Sequence, residues 1–516
     1  MTEDPTLIMT EAIAEPPAPF SPTLCLRLHP DDLPLLLRRP ELKPGRSRTR
    51  PSGCSRIWHD TPDLTLASAR LALALCHEAG SPPTWTLSRL VADKTDIWPP
   101  GAPAPLLGTA ADPAELDHPL LSPPPPLLLP LAAFEGTTRV LTDTPTLRVA
   151  LQEGSLRAVA ATSPVCRLDL SGPEAASVAL MLAGQMRLEV AQHSLAGEAC
   201  RLARPDIVAR PLGAPALPPS LDVDAGFAFV TAHLAAVLLH HVPGAMAEAG
   251  PEPVHQMRVA VRRLRSAILL FRRAVSCPEL DAVTQQLKAL GRVLGPPRDW
   301  DVFTLGTGAK VAASFPDDAA VQSLLAAAEK RRQAGYVALR AHLSGSEFRA
   351  LGIRLSALAL CHPWRSAMPD DPEAAARRAE LQRATLSDYA ARALSRRLAP
   401  VIAPGPDLSA LPPSALHDIR LHTKRLRYAA EFFSPLFPGR ETSRFLRRMS
   451  AVQERLGLLN DGTVAAALMA DLPRTGTARA YATGVISGFV AARAAGGRRK
   501  MERSWQRFLK LEPFWT

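Results

Sequence analysis

The chain has few aromatic residues and few cysteines for its length of 516 residues. Aromatic side chains make up 5% of the sequence, and none of the seven cysteines belongs to a Cys-x-x-Cys pair. An odd number of scattered cysteines indicates neither a disulfide framework nor a zinc motif, and it fits a reducing compartment. The cysteines are Cys25, Cys54, Cys76, Cys166, Cys200, Cys277 and Cys361.

The sequence also lacks a long uninterrupted apolar run. The longest, residues 226–239, contains His233 and is shorter than the roughly 20 residues that a membrane-spanning helix needs. The N-terminus is acidic and proline-rich, without a basic segment followed by an apolar one, so we expect no secretory signal. These features predict a cytoplasmic protein with no membrane partner.

Positive charge is scarce in the first part of the chain and abundant in the second. Before residue 221 there are 19 basic and 23 acidic residues, whereas after it there are 41 basic and 26 acidic residues. An anionic partner is therefore expected of the second part, because a large excess of one charge raises the local concentration of the opposite one.

Within this basic part, one twelve-residue pattern occurs twice. It reads VHQMRVAVRRLR from residue 254 and LHDIRLHTKRLR from residue 416. In a helix, the positions 0, +3, +7 and +10 counted from each His fall within an arc of about 80°, opposite an apolar face. Each stripe would run for roughly 15 Å, which suits an extended polyanion. The stripe residues are His255, Arg258, Arg262 and Arg265 in the first copy, and His417, Arg420, Lys424 and Arg427 in the second.

The repeat extends beyond the two stripes. Gly295 and Asp299 recur as Gly457 and Asp461, at the same offset of 162 residues that separates His255 from His417. Two signals with one offset indicate a duplicated helical unit. We expect Asp299 and Asp461 each to hold an arginine in place rather than to bind a ligand.

The segments VHQMRVAVRRLR, LGPPRDWDVF, LHDIRLHTKRLRYAAEFF and QERLGLLND, in this order, resemble the CHAD domain (conserved-histidine α-helical domain) over residues 221–510. The resemblance implies an all-α unit of two pseudo-symmetric four-helix bundles, at about 225–385 and 386–510. It also implies a basic groove that binds inorganic polyphosphate through the eight stripe residues. Further candidates for binding are Arg263, Lys288, Arg292 and Arg425.

The chemistry of the stripe residues agrees with such a ligand. Each His falls near a predicted helix start, where free N–H groups favour an anion, and arginine presents forked donors that match phosphate oxygens. We expect affinity to fall steeply as salt rises and to increase below about pH 6.5 if the histidines titrate. Two alternatives remain: partly buried histidines with no binding role, and a metal site, which the neighbouring cations disfavour.

The first part of the chain has a different pattern. Residues 1–22 are proline-rich and are expected to be disordered. Between residues 23 and 204, short β-like runs separated by turn residues predict an α+β domain, with a loop over residues 98–130. Residues 205–220 are rich in proline and alanine and are interpreted as a linker.

The segment WHDTPD, residues 58–63, with LAL at 71–73, resembles the CYTH family of triphosphate-tunnel proteins. The resemblance implies an antiparallel β-barrel whose interior holds metal through acidic residues and triphosphate through basic ones. The positions aligned with the family's ligands instead hold small or neutral residues. They are Ser21, Thr23, Cys25, Ala74, Cys76 and Ser88, with only Asp169, and a late Glu198, retained. Arg139 and Arg148 are candidates for facing the lumen.

We therefore predict a degenerate tunnel domain followed by a polyphosphate-binding domain, with no catalytic residue, metal or cofactor. The predicted role is non-catalytic binding of polyphosphate at polyphosphate granules, and the sequence leaves any protein partner of the first domain open. The alternatives are a triphosphate or polyphosphate hydrolase that uses the tunnel, and a nucleic-acid-binding protein. The second is disfavoured because the stripes lack an aromatic stacking platform.

Overall fold

The computed structural model describes residues 23–42, 50–69, 71–89, 104–105, 127–205, 217–408, 411–472, 476–495 and 498–515. The predicted disordered N-terminus, residue Ser21, most of the predicted 98–130 loop and most of the 205–220 linker lie outside these ranges. The first part of the described chain is an antiparallel sheet with four helices, and the second part is helical.

Nine strands form one sheet in the order β5-β4-β3-β2-β6-β7-β8-β1-β9. They are β1 (Thr23–Leu28), β2 (Ser52–Asp60), β3 (Leu71–Glu78), β4 (Thr84–Arg89), β5 (Ala104–Pro105), β6 (Leu129–Asp143), β7 (Arg148–Ala158), β8 (Ala161–Ser171) and β9 (Leu188–Val190). The helices of this part are α1 (Leu33–Leu37), α2 (Thr65–Ser68), α3 (Ala175–Gln185) and α4 (Leu195–Ala203).

The sheet is open, so the predicted barrel is wrong for the described residues. Closure would require the two edge strands to pair along their length, but β5 has two residues and β9 has three. The β9 edge packs against a helix of the second part, α12 (Ser346–Cys361), instead of against β5.

Strand β6 was not predicted, although it lies at the centre of the sheet. Its sequence lacks strict alternation, and Gly136 interrupts it. A Cβ at Gly136 would overlap the carbonyl group of Glu153 on β7, so the glycine permits the close approach of the two strands. This requirement comes from the neighbouring strand and is not visible in the local pattern.

The second part contains fourteen helices in its described residues. They are α5 (Val223–His240), α6 (Val242–Met246), α7 (Glu252–Phe271), α8 (Pro278–Val293), α9 (Gly295–Val302), α10 (Ala309–Ser314), α11 (Ala319–Leu343), α12 (Ser346–Cys361), α13 (Pro372–Arg383), α14 (Leu386–Ile402), α15 (Pro413–Phe433), α16 (Arg440–Asp471), α17 (Thr477–Ala495) and α18 (Arg498–Leu509).

The 162-residue offset relates the helices as well as the sequence pattern. Helices α7 and α15 end at Phe271 and Phe433, and α8 and α16 begin at Pro278 and Arg440. The copies differ beyond that point: α8 stops before Gly295, whereas α16 continues to Asp471. Pro296 and Pro297 follow the break and cannot donate the backbone hydrogen bonds of a continuous helix.

One hydrophobic core joins the sheet to both helical copies. It includes Leu26 of β1, Leu355 of α12 and Phe433 of α15. At the junction, Gln192 donates a hydrogen bond of 3.0 Å to the carbonyl oxygen of Leu239, and the Nε of Arg349 donates one of 3.3 Å to that of Ala183. The helices therefore do not separate into two bundles with independent cores, and the sheet is docked on them.

One stretch, Val223–Met246, is long and apolar enough to cross a membrane by length and composition. It comprises α5 and α6, and 67% of its most apolar window is buried inside the protein. The helix passes the test because it is a core element with apolar residues on all sides.

Candidate anion-binding groove

Helices α7 and α15 place the two predicted stripes at the surface. On α7, Met257, Val261 and Leu264 are buried, whereas Arg258 and Arg262 on the other face are only partly buried. The corresponding apolar residues of α15, Ile419, Thr423 and Leu426, are also buried. The helical period therefore orients both stripes away from the core, as the sequence pattern predicts.

The two helices lie side by side. The rings of Phe271 and Phe433 are 5.9 Å apart at their centroids. The guanidinium of Arg262 lies over the ring of Tyr428, 4.5 Å from its centroid, a distance typical of a cation–π contact. These contacts bring the two stripes together on one basic surface between α7 and α15, which is called the groove below.

Lys424 of α15 is surrounded by arginines from both helices. Burial lowers the pKa of Lys424, and Arg420, Arg262 and Arg258 lower it further. Arg262 and Arg258 belong to α7, so the pKa of this lysine responds to charges across the groove. An anion placed here would favour the charged form of Lys424 and reverse the direction of the shift.

His255 lies in the same cationic environment at the start of α7. Burial lowers the pKa of His255, and the next largest cause is Arg298, a residue of α9. Arg262 and Arg258 also lower it, and Glu252 opposes them. Arg298 was missed as a site residue, although it stands in the segment LGPPRDWDVF that carried the resemblance. Its approach to His255 depends on the break between α8 and α9.

Asp299 is next to Arg258, as the sequence predicts. The Nη2 of Arg258 is 3.6 Å from the Oδ1 of Asp299, and both side chains are about two-fifths exposed. Burial raises the pKa of Asp299, while Arg258 and Arg298 oppose this increase. At this distance and exposure the pair orients Arg258 weakly and leaves other guanidinium donors available. The side chain of Asp461, the equivalent in the second copy, lies outside the described side chains.

Two groove arginines have buried donors without acceptors in the described structure. The Nε atoms of Arg262 and Arg420 are shielded from solvent and form no hydrogen bond. Arg39 and Arg354 also have an Nε atom of this kind, and Arg167 and Arg479 have an Nη1 atom of this kind. Arg262 and Arg420 share a neighbour, Lys424, whose pKa they both lower. A buried donor without an acceptor is unfavourable, so an anion that enters the groove would compensate for it.

Arg427 is the stripe residue most firmly held by the protein itself. Its Nε donates to Glu431 at 2.6 Å, and its Nη1 donates to Gln453 at 2.7 Å. The α15 end of the groove is therefore partly neutralised. Arg265 and His417 are exposed.

The four further candidates occupy different surroundings. Burial lowers the pKa of Arg263, which lies near Glu431 and Arg262. Lys288 and Arg292 are exposed on α8, where a Cβ at Gly291 would be 4.0 Å from the Nη1 of Arg265. Arg425 lies near Arg397 of α14, on a face of α15 that is turned by about 100° from Lys424.

The inner face of the sheet has a different character. Cys25 of β1 pairs in register with Asp169 of β8, and α4 packs over β6, β7 and β8. On this face the Nη1 of Arg167 is 3.3 Å from the Oε2 of Glu198 of α4, and its Nη2 donates to the carbonyl oxygen of His193 at 3.0 Å. Helix α4 thus covers the face that the resemblance assigns to a tunnel.

The remaining predicted tunnel positions are distributed as follows. Ala74 and Cys76 belong to a small apolar cluster with Cys200 of α4. Arg139 pairs in register with Leu151, whose side chain belongs to the core on the opposite face, so the prediction that Arg139 faces the lumen is wrong. Arg148 is exposed, 3.4 Å from Asp143.

A family model of the CHAD domain matches residues 228–470. Residues 228–470 form a CHAD domain. All eight stripe residues and the four further candidates lie inside this CHAD domain, whereas α17 and α18 follow its end. The match begins after the sheet, so the CYTH resemblance remains a prediction.

Solved structures similar to the chain include the CHAD domain from the plant Ricinus communis, which is 26% identical. That alignment covers 58% of this chain and 96% of the other, with a TM-score of 0.49. PptA from Streptomyces chartreusis is 20% identical, with coverages of 56% and 100% and a TM-score of 0.41. No curated protein matches the chain.

Proposed function

We propose that the CHAD domain of this protein binds inorganic polyphosphate in the groove between α7 and α15 without hydrolysing it. The observation that carries the proposal is the environment of Lys424, a partly buried cation with Arg420, Arg262 and Arg258 as its charged neighbours. Like charges in a desolvated site are unfavourable unless an anion accompanies them.

The chemistry of the groove suits phosphate in particular. Guanidinium groups donate paired hydrogen bonds to phosphate oxygens, and the Nε atoms of Arg262 and Arg420 have no other acceptor in the described structure. The cations form two lines along neighbouring helices, so a linear chain of phosphates would contact more of them than a single phosphate would. Binding of such a chain releases counterions, and affinity should depend strongly on salt.

We propose that the sheet is a non-catalytic scaffold. Hydrolysis of a triphosphate needs metal ligands and charge neutralisation at one place. The oxygens of Asp60 accept hydrogen bonds from the backbone of Thr61, Leu66 and Ala67, and Glu198 pairs with Arg167. These carboxylates already have structural partners, which supports a role in docking. The proposed location is the cytoplasm, at polyphosphate granules.

Nucleic acid is the competing ligand for the same cations. Proteins that bind single strands stack bases on exposed aromatic side chains. Tyr428, the aromatic residue that contacts a groove cation, is covered by Arg262. This favours a ligand that consists of phosphate alone.

The test is binding of the purified protein to long-chain polyphosphate over a salt series, with duplex DNA as competitor. We expect tight binding that DNA does not displace at an equal concentration of phosphate. The variant His255→Ala/Arg258→Ala/Arg262→Ala should bind about 100-fold more weakly, because each lost phosphate contact also removes counterion release.

A matched control removes three positive charges from the first part of the chain, in the variant Arg38→Gln/Arg148→Gln/Arg157→Gln. All three side chains are exposed, and their loss changes net charge without touching the groove. If polyphosphate binding is weakened equally in both variants, the binding is a nonspecific attraction to positive charge and the groove proposal is wrong. Equal affinity for DNA would favour the nucleic-acid alternative, and absence of binding to polyphosphate would exclude the proposed function.

A further inference from the structure

A second group of arginines lies near Arg425, on a face of α15 that is turned by about 100° from Lys424. Arg392, Arg396 and Arg397 are on α14, which packs against α15. Arg425 of α15 is close enough to Arg397 to affect its pKa, and Arg273, just after the end of α7, has the same relation to Arg396. These five arginines are called the α14 cluster below.

Contacts of Tyr389 fix the position of the α14 cluster. Its hydroxyl donates to the carbonyl oxygen of Leu270 at 2.8 Å, and its ring stacks on Phe271 with centroids 5.4 Å apart. Helix α14 is therefore docked on the C-terminal end of α7, which brings Arg273 beside the α14 arginines. The same helix end is the negative end of the α7 dipole, which favours cations.

No described carboxylate pairs with the arginines of the α14 cluster. Among the described residues, none of its five side chains forms an ion pair or a hydrogen bond with another side chain. Burial lowers the pKa of Arg397, and Arg396 and Arg425 lower it further. Asp388 is one turn before Arg392 on the same helix, yet the two side chains form no ion pair.

Several arginines elsewhere in the helical part have a carboxylate partner. Arg332 contacts both Glu329 and Asp301, Arg365 contacts Asp224, and Arg340 contacts Glu248. No such partner lies beside the α14 cluster among the described residues. Five neighbouring guanidinium groups without a carboxylate repel one another and are expected to reduce stability unless an external anion binds.

We propose that the α14 cluster is a second phosphate-binding surface, which takes a further segment of the polyphosphate chain held in the α7–α15 groove. This rests on the proposed function. Lys424 and Arg425 are consecutive on α15, one near the groove arginines and the other near Arg397. A long flexible chain passes over α15 between them, whereas a short oligophosphate occupies the groove alone.

The test compares long-chain polyphosphate with tripolyphosphate for the variant Arg392→Gln/Arg396→Gln/Arg397→Gln. Affinity for the long chain should fall about tenfold or more, and the slope of log affinity against log salt should become shallower by about 2, since three phosphate contacts are lost. Affinity for tripolyphosphate should remain that of the wild type. The variant Arg38→Gln/Arg148→Gln/Arg157→Gln is the control for net charge.

Each outcome decides the inference. A loss for the long chain alone supports it. If the α14 variant and the control variant bind the long chain equally well, the inference is overturned and the groove proposal stands. The same conclusion follows if the α14 variant loses equal affinity for the long chain and for tripolyphosphate. Failure of the wild type to bind either ligand overturns both proposals. If the triple variant unfolds, Arg392→Gln/Arg396→Gln, which changes two exposed side chains, gives the same test with a smaller loss.

Discussion

The inner face of the sheet and the α7–α15 groove both contain cations that are at least partly shielded from water, but the charges beside these cations differ. The side chain of Arg167 is 4% exposed and has Glu198 at 3.3 Å. In the groove, Lys424 has three arginines as its nearest charges. Arg167 has a carboxylate of the protein beside it, whereas the charges that act on Lys424 are cations. Under the proposed function, an external anion supplies the opposite charge at Lys424. The comparison shows that the partners of a buried cation indicate its role better than the cation itself.

The two sides of the groove differ in the same way. Arg258 of α7 has a carboxylate at 3.6 Å, while Arg427 of α15 is bonded to both Glu431 and Gln453. The α7 side therefore presents its charge more freely. We expect α7 to contribute more binding energy than α15.

The largest effect should come from removing the carboxylate partner of Arg167 in the sheet. Glu198→Gln leaves the charge of Arg167 buried and unpaired, which should lower the free energy of unfolding by about 2–3 kcal/mol, below the full value for a buried pair because Glu198 is partly exposed. Urea unfolding measures the change. The double variant Arg167→Met/Glu198→Gln should recover most of the loss. Polyphosphate affinity should not change in either, and a change would show that the sheet takes part in binding.

Lys424→Met should weaken polyphosphate binding about tenfold, because it removes the central cation of the groove. The same change should raise the stability of the free protein by up to about 0.5 kcal/mol, since it relieves repulsion by three arginines. Titration and thermal unfolding measure the two effects. Lys330→Met, at an exposed position of α11, is the control and should change neither. Loss of stability without loss of affinity would contradict the proposed role of Lys424 in binding polyphosphate.

Glu431→Gln should strengthen binding about threefold, because it frees Arg427 for the ligand. Glu431 is also near Arg263, so the gain would include that residue. Glu441→Gln removes a more exposed carboxylate charge from an ion pair on α16 and should have no effect. If Glu431→Gln weakens binding, Glu431 positions Arg427 rather than competing for it.

The smallest effect should be the pH dependence due to His255. Its pKa in the free protein is lowered from an ordinary value of 6.5. Below pH 6.5 the unfolded chain therefore binds more protons than the folded protein does. The neutral His255 favours the folded state above pH 6.5, and this stability is lost as the pH falls from 6.5 to the pKa of the folded protein. A bound anion raises the pKa again, so affinity should increase by about twofold over the same range. Stability and affinity thus change in opposite directions.

His255→Gln should remove both trends in part, and His77→Gln, at an exposed position of β3, should remove neither. Isothermal titration between pH 7.5 and pH 5.5 would detect proton uptake on binding by the wild type. An affinity that is independent of pH in the wild type would show that His255 stays neutral and acts only as a hydrogen-bond donor.

Much of the groove could be predicted because its signals are local. The spacing of His255, Arg258 and Arg262 defines a helix face by itself, and the 162-residue offset supplies the second face. Arg298 was missed because it reaches His255 only after the chain breaks between α8 and α9. The bond of Arg427 to Gln453 of α16 and the α14 cluster also escaped, since they depend on the packing of different helices.

The sheet was predicted less well. Alternating residues indicated β1, β7 and β8, but β6 has no such alternation, and Gly136 is explained only by the backbone of β7. The barrel prediction was wrong because closure depends on how the edge strands pair, which no single strand encodes. The position of α4 on the inner face also depends on the whole sheet.

The helices, their duplication and the side on which each positive stripe lies could be read from the amino-acid sequence, because the helical period sets side-chain direction over neighbouring residues. The charged partner of each cation depends on how separate elements pack. Glu198 is 31 residues from Arg167, and Arg262 is 162 residues from Lys424. Packing places a carboxylate beside Arg167 and arginines beside Lys424, and no local pattern encodes either outcome.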